Sequence, residues 1–176
     1  MKTRSILFCL AVCALFVACG NKTAKKTVEE QAAEPQEATL PDDFIDFSAV
    51  QPDGTTLSLS DFVGHGKYIL VDFWASWCGP CRGEIPNIKN VYKQFHGDRF
   101  DIVSVAVWDD VEDTQAAIQE EGLEWNNILG AGRVPTDLYG IEGIPHLILF
   151  APDGTIVARN IRGREIGEAV AKALGK

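Results

Sequence analysis

The sequence predicts an α/β domain in which a mixed central sheet carries helices on both faces. Three apolar runs, at residues 68–75, 100–108 and 146–150, have the length and character of strands buried inside a sheet. Segments with apolar residues at helical spacing follow the first two runs and close the chain. A Pro-Asp-Gly link directly after the third run requires an antiparallel last strand, so the sheet must be mixed.

A β-hairpin should open the domain. Residues 44–48 and 55–59 have the pattern of short extended segments, and a Pro-Asp-Gly turn at 52–54 joins them. Proline fixes φ and glycine tolerates positive φ, which suits a tight turn. Ser60 can then cap a short helical turn that ends at Phe62.

After the hairpin we expect the order β-α-β-α-β-β-α. The helices are expected at 81–97, 110–121 and 164–174, and the last strand at 155–161. Pro86 lies inside the first helical pattern and predicts a kink there. Residues 123–143 show no clear periodicity, so no element is assigned to them.

The N-terminus has the features of a lipoprotein signal peptide. An apolar run at 6–17 follows two basic residues and has the length of a signal-peptide core, which is short for a membrane span. The Phe-Val-Ala-Cys stretch at its end resembles the bacterial lipobox, in which the cysteine becomes the lipidated first residue. We therefore expect a signal peptide at 1–18 and lipidation at Cys19. An ordinary cleaved signal and an uncleaved anchor are the alternatives.

Residues 19–41 are expected to form a flexible tether after the lipidated cysteine. They are largely polar, lack aromatic side chains and show no hydrophobic periodicity. The folded domain is therefore expected at 42–176. The chain has 16 Lys and Arg against 25 Asp and Glu, a net charge of −9. This acidic balance argues against nucleic acid as a partner.

Cys78 and Cys81 form the motif with the clearest chemistry. They follow the apolar run 68–75 and precede a helical pattern, so Cys78 should lie at the positive end of a helix, where the thiolate is favoured. Gly79 and Pro80 favour a turn that leaves the two cysteines close enough to form a disulfide. The motif predicts a site of dithiol/disulfide exchange.

Metal and haem sites are poorer interpretations of the cysteine pair. A structural zinc site needs two further ligands, but the other three cysteines lie near the N-terminus and the three histidines are far apart in sequence. No metal site is therefore predicted. Haem attachment requires a histidine directly after the second cysteine, where Arg82 stands.

Asp72 is a charged residue within an apolar run. Burial of an unpaired carboxylate is costly, so this group should stay protonated to unusually high pH. Such a group can take and return the proton of Cys81. The alternative is that Asp72 lies at a bend in the strand and reaches water.

Together these features resemble the thioredoxin family over residues 42–176. The resemblance depends on the element order, the cysteine pair after the first central strand and Ile144-Pro145 before the third. The hairpin, the Trp-Ala-Ser-Trp-Cys-Gly-Pro-Cys-Arg-Gly-Glu-Ile-Pro stretch at 74–86 and the extra segment before Ile144 are similar to the TlpA/ResA branch. That branch comprises membrane-anchored, extracytoplasmic thiol-disulfide oxidoreductases of bacteria. The resemblance implies a thioredoxin-like fold with an N-terminal hairpin and a central insertion.

The resemblance also assigns roles around the cysteines. Cys78, before the helix, should be the attacking thiol, and Cys81 should resolve the mixed disulfide. Pro145 matches the cis-proline of the family, whereas an ordinary trans proline at a strand start is the alternative. The implied substrate-docking surface is formed by Trp77, Gly79, Pro80, Ile144, Pro145 and His146.

Glu84 and His146 each have two interpretations. Glu84 resembles an active-site glutamate of ResA-type proteins, but the helix dipole alone also stabilises an acid in the first turn. Asp72 matches the buried aspartate of thioredoxin, so the presence of both acids leaves the proton carrier open. His146 could lower a thiol pKa or alter substrate choice, or it could be a solvent-facing strand residue.

By resemblance, the chain is an enzyme that reduces protein disulfides while lipid-anchored in the bacterial cell envelope and facing the periplasm. The Cys78–Cys81 disulfide would be the redox group, with no metal or organic cofactor, and a membrane thiol donor would recharge it. The branch suggests apocytochrome cysteines as substrate. The alternatives are disulfide oxidation or isomerisation, a non-redox binding module and a peroxidase. The Pro and Thr that precede the cysteine of peroxiredoxins are missing here.

Overall fold

The computed structural model describes residues 40–176, which begin with the predicted hairpin. β1 (Ser48–Val50) pairs antiparallel with β2 (Thr56–Ser58). β1 starts later than predicted because the preceding residues pair elsewhere. The backbone N–H of Phe44 donates to the carbonyl of Gly154 at 3.0 Å, which ties the start of the domain to a turn near its end.

A short 3-10 helix, Leu59–Asp61, follows the hairpin. The prediction that Ser60 caps this turn is wrong, because Ser58 precedes the helix and donates its backbone N–H to the Asp61 carboxylate at 2.7 Å. The Ser60 hydroxyl instead donates to Asp46 at 2.8 Å. The helical turn is thereby tied to the segment that enters the hairpin.

The central sheet has five strands: β3 (Tyr68–Trp74), β4 (Phe100–Ala106), β5 (Asn126–Ile128), β6 (His146–Phe150) and β7 (Ile156–Arg159). Their spatial order is β5-β4-β3-β6-β7. β4 is parallel to both β3 and β5, whereas β6 is antiparallel to both β3 and β7. The predicted mixed sheet is confirmed.

Residues 40–176 also contain four α-helices: α1 (Gly79–Phe95), α2 (Val111–Glu121), α3 (Val134–Tyr139) and α4 (Arg164–Leu174). α1 begins earlier than predicted because Cys78 caps it, and it continues through Pro86. α4 has its predicted bounds. In this part of the chain no helix combines the length and the hydropathy that a membrane span requires.

Two elements lie in the region 123–143, to which the sequence analysis assigned none. β5 has three residues and α3 has six, which is too short for a periodic pattern to show. β5 forms because it pairs with the edge of β4, and α3 carries the fully buried Tyr139 into the core. The predicted central insertion therefore adds an edge strand to the sheet.

Helices cover both faces of the sheet, as predicted. Successive side chains of β3 point to opposite faces. Leu70 packs with Ile88 of α1 and Val170 of α4, whereas Val71 packs on the other face with Tyr139 of α3. The disulfide region lies at one end of the first face. The predicted signal peptide, the lipidated Cys19 and nearly all of the tether lie outside the described residues.

Candidate active site

Cys78 and Cys81 form a disulfide at the start of α1, with their Cα atoms 5.2 Å apart. Cys78 is the N-cap residue, and its Sγ accepts the backbone N–H of Cys81 at 3.1 Å. The same N–H and the helix dipole would stabilise a Cys78 thiolate after reduction. Both cysteines are buried, at 3% and 2% exposure. The packing of α1 therefore holds the redox pair in one geometry.

A carboxylate that follows β4 holds the loop before Cys78. Asp109 accepts the backbone N–H of Ser76 at 2.6 Å and the Ser76 hydroxyl at 2.9 Å. It also accepts the hydroxyl of the buried Thr114 at 2.8 Å. Asp109 therefore joins the active-site loop to α2.

Trp77, Gly79 and Pro80 form the exposed rim of the disulfide. The Trp77 side chain donates its indole N–H to the carbonyl of Trp108 at 2.9 Å, yet the residue stays 61% exposed. Gly79 and Pro80 are exposed in the first turn of α1. An aromatic ring held in solvent beside a disulfide is available to a partner, which is consistent with the docking role implied for it.

The Ile144–Pro145 peptide bond is cis, the geometry that the resemblance implies. Ile144 packs against the buried cluster that contains Cys78 and Cys81, so this loop lies beside the disulfide. The guanidinium of Arg162 donates to the Pro145 carbonyl at 2.8 Å. A side chain from the end of the domain thus fixes the loop next to the cysteines.

His146 is the first residue of β6 and lies opposite Phe73. Burial, with the positive charges of Arg159 and Arg162, lowers its pKa to about 4. Within residues 40–176 its buried Nε2 atom has no hydrogen-bond partner. The imidazole is therefore neutral at pH 7 and offers no positive charge to a cysteine thiolate.

Asp72 lies in the middle of β3 and is only 3% exposed, so it does not reach water at a bend. Strand alternation places its side chain on the face of Leu70 and Trp74, toward α1. Burial raises the pKa of Asp72 to about 7; a hydrogen bond from Ser104 lowers it and the charge of Glu84 raises it. A carboxyl that titrates near neutral pH can both take and release a proton.

Glu84 lies in α1, one turn past Cys81. Its carboxylate accepts the backbone N–H of Gly163 at 2.9 Å and the side-chain amide of Asn87 at 3.0 Å. Gly163 is the residue before α4, so Glu84 supplies an acceptor at the start of that helix. The residue therefore has a structural contact in addition to its electrostatic effect on Asp72.

Comparison with known proteins agrees with this geometry. A family model described as the AhpC/TSA family matches residues 40–159. The chain belongs to the AhpC/TSA family.

Two curated relatives of this AhpC/TSA family member are named for thiol-disulfide chemistry. One is the thiol-disulfide oxidoreductase ResA of Bacillus subtilis, 30% identical over 115 residues, which are 65% of this chain and 63% of the relative. The other is the thiol:disulfide interchange protein CycY of Rhizobium leguminosarum, 34% identical over 131 residues, 69% of this chain and 68% of the relative. The chain thus spans less than two thirds of the length of ResA.

A solved structure supports the fold of this family member. The thioredoxin domain of a thiol-disulfide oxidoreductase from Bacteroides vulgatus is 35% identical, with a TM-score of 0.68. The match covers 76% of this chain and 96% of that domain. The predicted thioredoxin-like fold is confirmed.

The structure of this AhpC/TSA family member brings nine of the ten predicted residues of the domain site to the region of the disulfide. The exception is His146, which pairs with Phe73 of β3 and therefore points its side chain to the opposite face of the sheet. The structure also adds side chains that the sequence analysis missed: Ser76, Ser104, Asp109, Trp125 and Arg162. Two of these residues, Asp109 and Ser104, could have been predicted from the sequence. Asp109 follows β4 as Cys78 follows β3, and the ends of adjacent parallel strands meet at one sheet edge. Ser104 interrupts an apolar strand at the position that pairs with Asp72.

Proposed function

We propose that this protein is a thiol-disulfide oxidoreductase that reduces disulfides of other proteins through Cys78 and Cys81. The observation that carries the proposal is the position of the disulfide at the N-terminus of α1. There the Cys78 sulfur caps the helix between an exposed Trp77 and the cis Ile144–Pro145 loop. This arrangement stabilises a thiolate and leaves a surface for a substrate beside it.

In the reducing direction the reduced protein starts with a Cys78 thiolate and a Cys81 thiol. The thiolate attacks one sulfur of the substrate disulfide, which forms a mixed disulfide and releases the other substrate sulfur as a thiolate. Cys81 then loses its proton and attacks the Cys78 sulfur. The second substrate sulfur leaves, and the Cys78–Cys81 disulfide forms. Two electrons have passed to the substrate.

Asp72 is the group we propose for the proton of Cys81. It lies buried on the sheet face that packs against α1, and its pKa of about 7 lets it accept a proton near neutral pH. The proton returns when a donor reduces the disulfide again. Glu84 is tied to Gly163 and acts through its charge on Asp72.

The cellular setting is part of the proposal. The apolar run at 6–17 and the Phe-Val-Ala-Cys stretch support a lipid anchor at Cys19 in the bacterial cell envelope, with the domain facing the periplasm. An oxidising compartment would require a membrane thiol donor to recharge the pair. We propose that the disulfide is the redox group and that no other cofactor takes part. We also propose that the pathway is cytochrome c maturation, with apocytochrome cysteines as substrate.

The first test is the reduction potential of the Cys78–Cys81 pair. The protein with Cys9, Cys13 and Cys19 changed to serine is equilibrated with thiol buffers and followed by tryptophan fluorescence. A Gly-Pro turn between the cysteines is that of thioredoxin, so we expect a value near about −270 mV. A value near about −120 mV would contradict the reducing direction and favour disulfide formation.

Variants of the two cysteines test the chemistry itself. Cys78→Ser should abolish reduction of a model protein disulfide, whereas Cys81→Ser should accumulate a mixed disulfide that is visible by mass spectrometry. A double variant that keeps full function in cells would favour the non-redox binding module. Rapid peroxide consumption that depends on Cys78 would favour the peroxidase alternative.

A further inference from the structure

A buried hydrogen-bond chain connects Asp72 to the insertion. Ser104 pairs with Asp72 in the parallel register of β3 and β4, and its Oγ lies 3.3 Å from Asp72 Oδ2. The indole Nε1 of Trp125 lies 2.8 Å from the same Ser104 Oγ. The three residues are 3%, 0% and 6% exposed in the order Asp72, Ser104, Trp125. Water therefore competes little with these bonds.

The chemistry of the three groups determines which of them donates and which accepts in each hydrogen bond. An indole N–H is a donor only, so Ser104 Oγ must accept from Trp125. The hydroxyl has a single proton, which remains for the carboxylate of Asp72. Ser104 is therefore oriented as a donor toward Asp72, and Trp125 maintains that orientation.

Trp125 is held firmly enough for this role. It immediately precedes β5, the edge strand that pairs with β4. Its ring packs against Tyr92 of α1, with ring centroids 5.4 Å apart. The insertion thus places the Trp125 indole next to Ser104.

We propose that Ser104 and Trp125 are positioning residues that stabilise the ionised form of Asp72 and so set the pH at which it can accept the proton of Cys81. The proposal rests on the thiol-disulfide exchange proposed above. A donor aimed at a carboxylate favours its charged form, which opposes the effect of burial. Without this donor, a larger fraction of Asp72 would be protonated at neutral pH, and a smaller fraction could accept the proton of Cys81.

The other groups that face Asp72 do not favour its ionised form. Among residues 40–176, Glu84 on α1 is the charged group that acts on Asp72, and its charge raises the pKa. The two cysteines of α1 do not titrate while they form the disulfide. On β6 the paired residue is the apolar Leu147. In the oxidised protein, Ser104 is thus the neighbour that favours the ionised carboxyl.

The test is an NMR titration of the Asp72 side-chain carboxyl carbon in the oxidised full chain, assigned with Asp72→Asn. Ser104→Ala should raise the midpoint by about one pH unit. Trp125→Phe should raise the midpoint by less, because Ser104 keeps its proton but loses its fixed orientation. An unchanged midpoint in folded Ser104→Ala protein overturns the proposal.

Two further variants separate this role from a general loss of packing. Ser104→Thr keeps a donor hydroxyl and should keep the wild-type midpoint. Thr136→Val removes another buried hydroxyl, which donates to the Arg133 carbonyl, and should also leave the midpoint unchanged. If Ser104→Ala does not fold, Trp125→Phe decides: a midpoint equal to that of wild type, or below it, overturns the proposal.

The titration needs no enzymatic activity, so its failure is distinct from failure of the proposed function. A wild-type protein that reduces no disulfide would overturn the proposed function and would remove the catalytic meaning of any shift. In an active enzyme, the pH profile of the step that releases substrate should move with the Asp72 midpoint in Ser104→Ala. A profile that does not move overturns the link to Cys81.

Discussion

The carboxylate of Glu84 accepts the backbone N–H of Gly163 at 2.9 Å, and this bond joins the redox helix α1 to the start of α4. The two residues are 79 positions apart in sequence. One acid therefore has two effects: it supplies an acceptor for the helix that closes the domain, and its charge raises the pKa of Asp72.

Two substitutions separate these effects of Glu84. Glu84→Ala loses the acceptor and should destabilise the fold by about 1–2 kcal/mol. Glu84→Gln keeps an oxygen acceptor and loses the charge, so stability should change little. Both variants should lower the pKa of Asp72, which NMR titration measures. Equal loss of stability in the two variants, measured by urea unfolding, would contradict the acceptor role.

Asp72 should make the protein less stable as the pH rises. Its pKa is about 3.9 in an unfolded chain and about 7 in the fold, so the folded state binds the proton more tightly between these values. Stability from this group is complete below about pH 4 and is lost as the pH rises to about 7.

Asp72→Asn should therefore be more stable than wild type at pH 8, by on the order of 3 kcal/mol, with no advantage near pH 4. Urea unfolding of the oxidised proteins at both pH values checks this. If the difference between the two proteins is the same at pH 4 and pH 8, Asp72 ionises in the fold as it does in the unfolded chain.

His146 should have the opposite effect to Asp72 and make the protein less stable as the pH falls. Its folded pKa of about 4 lies below the ordinary histidine value, so the unfolded chain takes up the proton first as the pH falls. Stability from the neutral imidazole is complete above about pH 6.5 and declines toward pH 4. His146→Thr should remove this decline, which unfolding at pH 5 and pH 7.5 would show. A decline as large as that of wild type would place its cause elsewhere.

Substitution of Asp109 should reduce stability and the rate of disulfide reduction more than substitution of its neighbour Asp110. Asp109 Oδ2 accepts the Ser76 backbone N–H and the Thr114 hydroxyl, and Oδ1 accepts the Ser76 hydroxyl. Asp109→Asn exchanges one of these oxygens for a donor, so the amide cannot accept all three bonds. We expect a loss of about 2 kcal/mol in stability and about tenfold in the rate of disulfide reduction, because the loop before Cys78 loosens.

Asp110→Asn is the matched control for that variant. It makes the same change in charge one residue later, at the N-cap of α2, where the side chain makes no capping hydrogen bond. Its rate and stability should stay close to wild type. Equal effects in the two variants would show that the local charge is responsible and that the hydrogen bonds from Ser76 to Asp109 are not.

Elements with a strong local signal were predicted well. The strand that contains Asp72, the turn at Cys78 and the last helix arise from apolar periodicity and turn residues that act over short stretches of chain. The hairpin lies at the Pro-Asp-Gly turn, as predicted, although its first strand begins later than predicted. β5 and α3 were missed because three or six residues carry no periodic signal and depend on packing.

The sequence alone thus determined the fold class, the redox pair and its place before a helix, because these depend on neighbours within a few residues. Only the tertiary structure decided what surrounds them. Ser104 reaches Asp72 through strand register, Asp109 reaches Ser76 across a strand edge, and Glu84 reaches Gly163 between two helices. Such bonds join residues 32 to 79 positions apart, so their partners follow from how strands and helices pack and not from local preference.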